Sequence, residues 1–252
     1  MRRLATVAAV MAALAVPASG RAATVNVGFS ELGLPEFTTI LDQYAGAPYL
    51  VSFGNPERFG FPAPPPLLNC GNPYLQNNQL NGTALGIACL SGSAEFPNRR
   101  FATAMEFQNE LRSVSFKIVN HTPNTQTALI DFYRIGSSTP LNGSPITKVL
   151  GSNQAAQTVT YDAGSNQIVG AVIRGSQAMD YYDSGGVFID DLAMTRDAQA
   201  LTPKFTVAVQ QPAADVVEGS AVDVPVSVRR YNGSTGGVTL SVGALPSKIE
   251  ST

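Results

Sequence analysis

Few residues in this chain combine the type and the spacing needed for chemistry. His121 is the sole histidine among 252 residues and sits in the run Asn120-His121-Thr122-Pro123. A nucleophilic triad needs an imidazole within hydrogen-bond reach of a hydroxyl, and a third group to orient it. Ser113 and Ser115 precede His121 on an expected strand, yet no GxSxG-type elbow occurs, so His121 reads as a hairpin-turn residue. Paired carboxylates could serve glycoside hydrolysis. Asp190 and Asp191, however, are neighbours on an expected strand and face opposite sides, which makes them a poor acid–base couple. One histidine and two cysteines are too few for the common zinc sets. No GxxxxGK run and no glycine-rich turn entering a helix offers a phosphate cradle. The chain reads as non-catalytic.

Composition points to the framework that must carry any site. The chain is 44% hydrophobic but only 13% charged, with 23 Gly, 17 Pro and no Trp, the balance of a loop-rich β protein. A net charge of −2 argues against nucleic acid as a partner. Arg2 and Arg3 precede an apolar run over residues 4–16, followed by the small, turn-prone Pro17-Ala18-Ser19-Gly20-Arg21-Ala22-Ala23. That order is the pattern of a secretory signal peptide, too short to span a bilayer, with cleavage after Gly20, Ala22 or Ala23. Its removal takes three arginines and lowers the charge from −2 to −5. No later run is long enough for a transmembrane helix, so a secreted or cell-surface protein without membrane insertion is expected. In an oxidising compartment Cys70 and Cys89 form a disulfide by default, contributing ~3 kcal/mol on the chain-entropy account.

Period-two alternation dominates from there on. Residues 112–119 place Val114, Phe116 and Ile118 on one face. Residues 127–134 place Ala128, Ile130 and Phe132 opposite Asp131 and Tyr133. Further strands are expected at 24–29, 49–53, 101–107, 157–161, 167–174 and 186–194, with turns at Asn81-Gly82 and Asn142-Gly143. Residues 55–81, with Pro62 and Pro64-Pro65-Pro66, read as a long irregular loop, and 36–44 as the only helical candidate. Eight to ten short strands over 24–196 predict an antiparallel jelly-roll β-sandwich. Residues 197–203 read as a linker. Strands at 204–210, 221–229 and 237–242 begin a second, incomplete β domain over 204–252.

Two stretches resemble known families. Phe29-Ser30-Glu31-Leu32, Gln43-Tyr44-Ala45-Gly46, Phe116, Phe132 and the closing run Val187-Phe188-Ile189-Asp190-Asp191-Leu192 give residues 25–194 a resemblance to the galactose-binding-like, or carbohydrate-binding-module-like, jelly rolls of secreted bacterial proteins. Val217-Glu218-Gly219-Ser220, Gly237-Val238-Thr239-Leu240 and Leu245-Pro246 are similar to the first half of bacterial immunoglobulin-like surface repeats. The jelly-roll resemblance implies that the first and last strands lie side by side, with a structural calcium at their junction. Glu31 and Asp190 or Asp191 would be its ligands, Asp191 being the inward one if Ile189 is core, with loop carbonyls near Asp42 or Tyr44 completing the oxygen set. The alternative is that all three are solvated strand-end residues. The resemblance also implies a sugar cleft. With no Trp to serve as platform, Tyr181-Tyr182 would stack on the sugar, flanked by Asp183, with Arg174 adding a bidentate donor; the alternative is a Tyr-rich loop packing over the sandwich edge. The expected function is a secreted, non-catalytic binding module for a glycan or cell-surface polymer, or else a structural surface sandwich with no small ligand.

Overall fold

The computed structural model describes residues 22–62, 73–78, 82–87, 102–121, 124–152, 155–176, 187–209, 223 and 225–241. Residues 1–21 of the expected signal peptide, and Cys70, Cys89, Tyr181, Tyr182 and Asp183, lie outside these residues, whereas Ala23, at the expected cleavage region, opens the first strand. The described chain is all-β. Its strands are β1 (Ala23–Val27), β2 (Val51–Gly54), β3 (Tyr74–Asn78), β4 (Gly82–Gly86), β5 (Ala102–Leu111), β6 (Ser113–Asn120), β7 (Gln126–Tyr133), β8 (Ile146–Leu150), β9 (Gln157–Asp162), β10 (Ile168–Gly175), β11 (Val187–Arg196), β12 (Lys204–Val209) and β13 (Val226–Tyr231). No helix among the described residues is long and apolar enough to cross a membrane.

Two sheets carry the fold. One runs β3-β4-β11-β6-β9, with β1 pairing β11, and the other runs β2-β5-β10-β7-β8. Strand pairing defines the topology: β7 pairs β8, β6 pairs β9, β5 pairs β10 and β4 pairs β11, all antiparallel. A long two-stranded ribbon, nested in this way and rolled so that successive pairs fall in alternate sheets, is a jelly roll. The first and last strands of the sandwich do meet, with Val27 opposite Leu192 and Ala23 opposite Arg196.

Alternation fills the space between the sheets. Val114, Phe116 and Ile118 of β6 face Ile130 and Phe132 of β7 and Met105 and Phe107 of β5 in one buried cluster. Each such side chain contributes ~1.5–3 kcal/mol by leaving water. Phe29, Tyr44 and Phe53 close one end of this core edge-to-face, with ring centroids 5.7–6.3 Å apart.

Three expectations need correction. Residues 36–44 are turns, not a helix. Their backbone bonds to β3 and the residue before it: Phe37 N donates to Leu75 O, Ile40 N to Pro73 O, and Leu75 N to Thr38 O. These sheet-like partners satisfy the groups that a helix would have paired internally. Residues 55–81 are not wholly irregular either: Pro56–Phe59 is a 3-10 turn and β3 pairs β4, with Leu75 and Leu85 directly opposite and both fully buried.

The third correction concerns the C-terminal segment. It supplies a two-stranded ribbon, β12–β13, while residues 237–241 form no strand, so no immunoglobulin-like half-sandwich forms among the described residues. The polar face of the ribbon is bound to β5 instead. Lys204 Nζ reaches both Glu110 oxygens at 2.8 and 2.9 Å, and Arg229 Nη1 both Glu106 oxygens at 3.1 and 3.0 Å. The Tyr231 hydroxyl donates to Glu106 at 2.8 Å, and Asn232 exchanges hydrogen bonds with Glu110. Half-buried charge-assisted bonds of this kind are stronger than neutral ones, and they fasten the ribbon to the sandwich.

Candidate functional site

The outer face of the five-stranded sheet carries the arrangement most like a site. Because Ile130 and Phe132 point inward, period two sends Asp131 and Tyr133 of β7 outward. On β10 the buried inward residues are Ala171 and Ile173, so Gly170, Val172 and Arg174 face out beside them. Val172 lies opposite Asp131, and Arg174 is one step along the same face. From that diagonal position Arg174 Nη1 donates to Asp131 Oδ2 at 2.6 Å. The Asp131 side chain is only 2% exposed and that of Arg174 is 19% exposed. The second oxygen, Oδ1, has no hydrogen-bond partner. A buried carboxylate oxygen left unmatched costs on the order of 1–3 kcal/mol, so its retention calls for an explanation.

An aromatic wall stands at one end of this pair. Phe61 stacks on Tyr133 with centroids 5.2 Å apart, and the guanidiniums of Arg58 and Arg229 lie over the Phe59 ring, at 5.2 and 5.4 Å. Gly170 is what lets the Phe61 ring lie on the sheet, since a Cβ there would sit 2.0 Å from Phe61 Cζ. Burial pushes the Tyr133 phenol up to about 12, the Asp131 charge adding to the rise and Arg174 opposing it. At the other end β10 finishes at Gly175 and leads toward the segment that carries Tyr181, Tyr182 and Asp183 in the sequence. Of the four residues expected for a sugar cleft, the described structure thus places Arg174. It adds Asp131, Tyr133 and Phe61, which the sequence reading did not nominate; the available signal was a lone acid in mid-strand on the outward face.

The junction of β1 and β11 brings Glu31 to Asp190 and removes Asp191. The ladder with β6 shifts between Asp190 and Ala193, and Asp191 has φ +49°. That bulge inserts one residue, so Ile189, Leu192 and Met194 are the buried positions, and simple alternation from Ile189 picks the wrong aspartate. Asp191 faces solvent and pairs with Lys117 Nζ at 2.6 Å. Asp190 is the carboxylate beside Glu31. Desolvation raises its pKa, and the charges of Asp191 and Glu31 add to that, against the Asp191 N–H and Lys117. Glu31 accepts from Gly28 N, and the buried Tyr44 hydroxyl lies beside it, its phenol pushed up by burial and by the Glu31 charge. No group of three or more His, Cys, Asp or Glu suited to a metal gathers among the described residues. Two carboxylates and a phenol hydroxyl leave oxygen donors at this spot.

His121 packs edge-on against Phe188, with centroids 5.3 Å apart, as a hairpin-end residue would.

The fold and site together define a jelly-roll β-sandwich with a charged, aromatic-walled outer face. No protein-family model and no curated protein matches the chain. Among solved structures it is similar to a family 29 carbohydrate-binding module from Piromyces equi, at 8% identity, over 49% of this chain and 74% of that one, with TM-score 0.30. It is similar to the CBM36-1 domain of a multidomain xylanase from the hindgut metagenome of Trinervitermes trinervoides, at 11% identity, 57% and 95% coverage and TM-score 0.26. A family 11 carbohydrate-binding module from Clostridium thermocellum, in complex with a β-1,3-1,4-mixed-linked tetrasaccharide, is matched at 11% identity, 62% and 94% coverage and TM-score 0.26. The jelly-roll assignment rests on the strand pairing itself.

Proposed function

We propose that this chain is an exported, non-catalytic binding module for a glycan or cell-surface polymer, engaged on the outer face of the five-stranded sheet. The observation that supports this reading is the Asp131–Arg174 pair. A sugar hydroxyl is both donor and acceptor. The partly exposed Arg174 guanidinium meets the sugar, its planar fork suiting paired oxygen acceptors, while the buried Asp131 beneath it holds the fork in place. Tyr181 and Tyr182 would supply the ring faces on which a pyranose stacks, each ring worth ~1 kcal/mol.

Glycan-array binding with the full chain tests this. The intact protein is expected to retain at least one glycan class, and Tyr181→Ala with Tyr182→Ala to weaken that binding roughly tenfold or more, as two lost stacking contacts dictate. Retention of nothing would favour a structural spacer, and unchanged affinity in the double variant would remove the tyrosine platform.

In the same reading Glu31 and Asp190 hold a structural calcium, with loop carbonyls completing the set of six to eight oxygens. Calcium that binds only the native state must raise the melting temperature, by an amount equivalent to ~4 kcal/mol at a thousandfold excess over its dissociation constant. Asp190→Asn keeps the acceptor for Asp191 N but discards the charge. It is expected to melt above the parent in chelator and to lose the calcium response. Melting curves that ignore calcium in both proteins would show that Glu31 and Asp190 are not ligands.

A further inference from the structure

The seam between the two sheets holds a second feature. A cleft of about 100 Å³ opens between β1 and β11 on one side and β5 on the other, with the Pro48-Tyr49-Leu50 turn as its lip. Period two makes every strand position lining it an inward one. Ala23 and Val25 of β1 lie directly opposite Arg196 and Met194 of β11, while Phe107, Asn109 and Leu111 come from β5. Val25, Phe107, Leu111 and Met194 are the apolar residues that such positions require. Asn109 and Arg196 break the rule. A guanidinium and an amide are half-buried at inward-facing positions, and neither side chain has a hydrogen-bond or ion-pair partner among the described residues. Leu50, at φ +57°, turns the lip over the opening. A γ-branched residue rarely adopts that conformation, and such outliers persist where the surroundings enforce them.

An apolar hollow with a few convergent polar groups is how small-ligand sites are built, and inward polar residues left unmatched mark where a sequence departs from packing rules. We infer that this seam binds a small monocarboxylate carrying one branched apolar group. An apolar cavity of ~150 Å³ admits benzene, so this smaller cleft takes a branched four-carbon group. The carboxylate takes a charge-assisted bond from Arg196 and a second from the Asn109 amide. The ligand is either a free branched-chain acid or the C-terminal leucine-like residue of a peptide. Both present the same isobutyl-and-carboxylate chemistry.

Titration of the isotope-labelled full chain, followed by amide chemical shifts, tests the assignment with four probes. Isovalerate is expected to saturate shifts at Ala23, Asn109, Leu111 and Arg196. Acetate, lacking the apolar group, and 3-methylbutan-1-ol, lacking the charge, are expected to bind at least tenfold more weakly. N-Acetyl-leucine binding as tightly as isovalerate assigns the site to peptide C-termini, and weaker binding assigns it to free acids. Arg196→Gln should reduce isovalerate affinity at least tenfold while the melting temperature stays within a degree or two. Saturation elsewhere, no saturation at all, or equal affinity in Arg196→Gln would overturn the assignment, whatever the outcome at the glycan face.

Discussion

Gly170→Val is expected to cost ~1–3 kcal/mol of folding stability, because the new side chain collides with the Phe61 ring. The new Cβ would come within 2.0, 2.5 and 2.9 Å of three Phe61 ring atoms, distances that no side-chain adjustment at residue 170 can relieve. Either the ring leaves Tyr133, surrendering the burial of a phenylalanine, at ~1.5–3 kcal/mol, or β10 shifts in the middle of its sheet, with an overpacking cost of ~1–3 kcal/mol. The better strand propensity of valine returns at most ~1 kcal/mol. The cause is open to a double-variant cycle measured by urea unfolding. Phe61→Ala alone should destabilise, and Gly170→Ala added to it should cost almost nothing further, because the clashing ring is gone. Additive costs would mean that Gly170 is needed for some other reason.

Arg174→Ala is expected to be at least as damaging, at ~2–4 kcal/mol. Removing one member of a buried pair leaves the other as an uncompensated charge, which typically costs ~3–5 kcal/mol; the partial exposure of Arg174 lets water recover some of it. The Asp131 side chain, 2% exposed, has no such recourse. Substituting both members by leucine should restore most of the lost stability, since a buried pair seldom exceeds an apolar replacement. That folded double variant is the informative binding control: it should be stable and bind no glycan. If Arg174→Ala proved as stable as the parent, the pair would not be a buried one, and the case for a matched site at Asp131 would weaken.

Local patterning made much of the fold legible. The alternation around Phe116 and Phe132 marks β6 and β7 to within a residue or so, and the meeting of 23–27 with 192–196 follows from the closing run resembled in the sequence. What escaped the sequence was set by distant contacts or by a single inserted residue. The β3–β4 pairing depends on Leu75 opposite Leu85, a contact that no alternation in residues 74–86 announces. The turns at 36–44 are fixed by backbone bonds to residues 73–75, and the spacing of Ile40 and Tyr44 imitates a helix. The bulge at Asp191 re-phases the strand, so counting by twos from Ile189 selected the aspartate that binds Lys117. At the outer face, Arg174 was readable as a strand-end donor. Asp131 was readable only as an outward residue, because the ring that walls its neighbour Tyr133 arrives from Phe61, some seventy positions earlier. Asn109 and Arg196 left the clearest unused signal: polar residues at inward positions of otherwise apolar strands.

Amide shift mapping of the full chain with the glycan it retains bears most directly on the proposed binding face. The perturbed amides are predicted to form one cluster across Leu129–Tyr133 of β7 and Val172–Gly175 of β10, extending into the segment that bears Tyr181 and Tyr182. A saturable cluster confined to the β1–β11 edge, or to the opposite sheet, would contradict that placement and transfer the binding function away from Asp131 and Arg174.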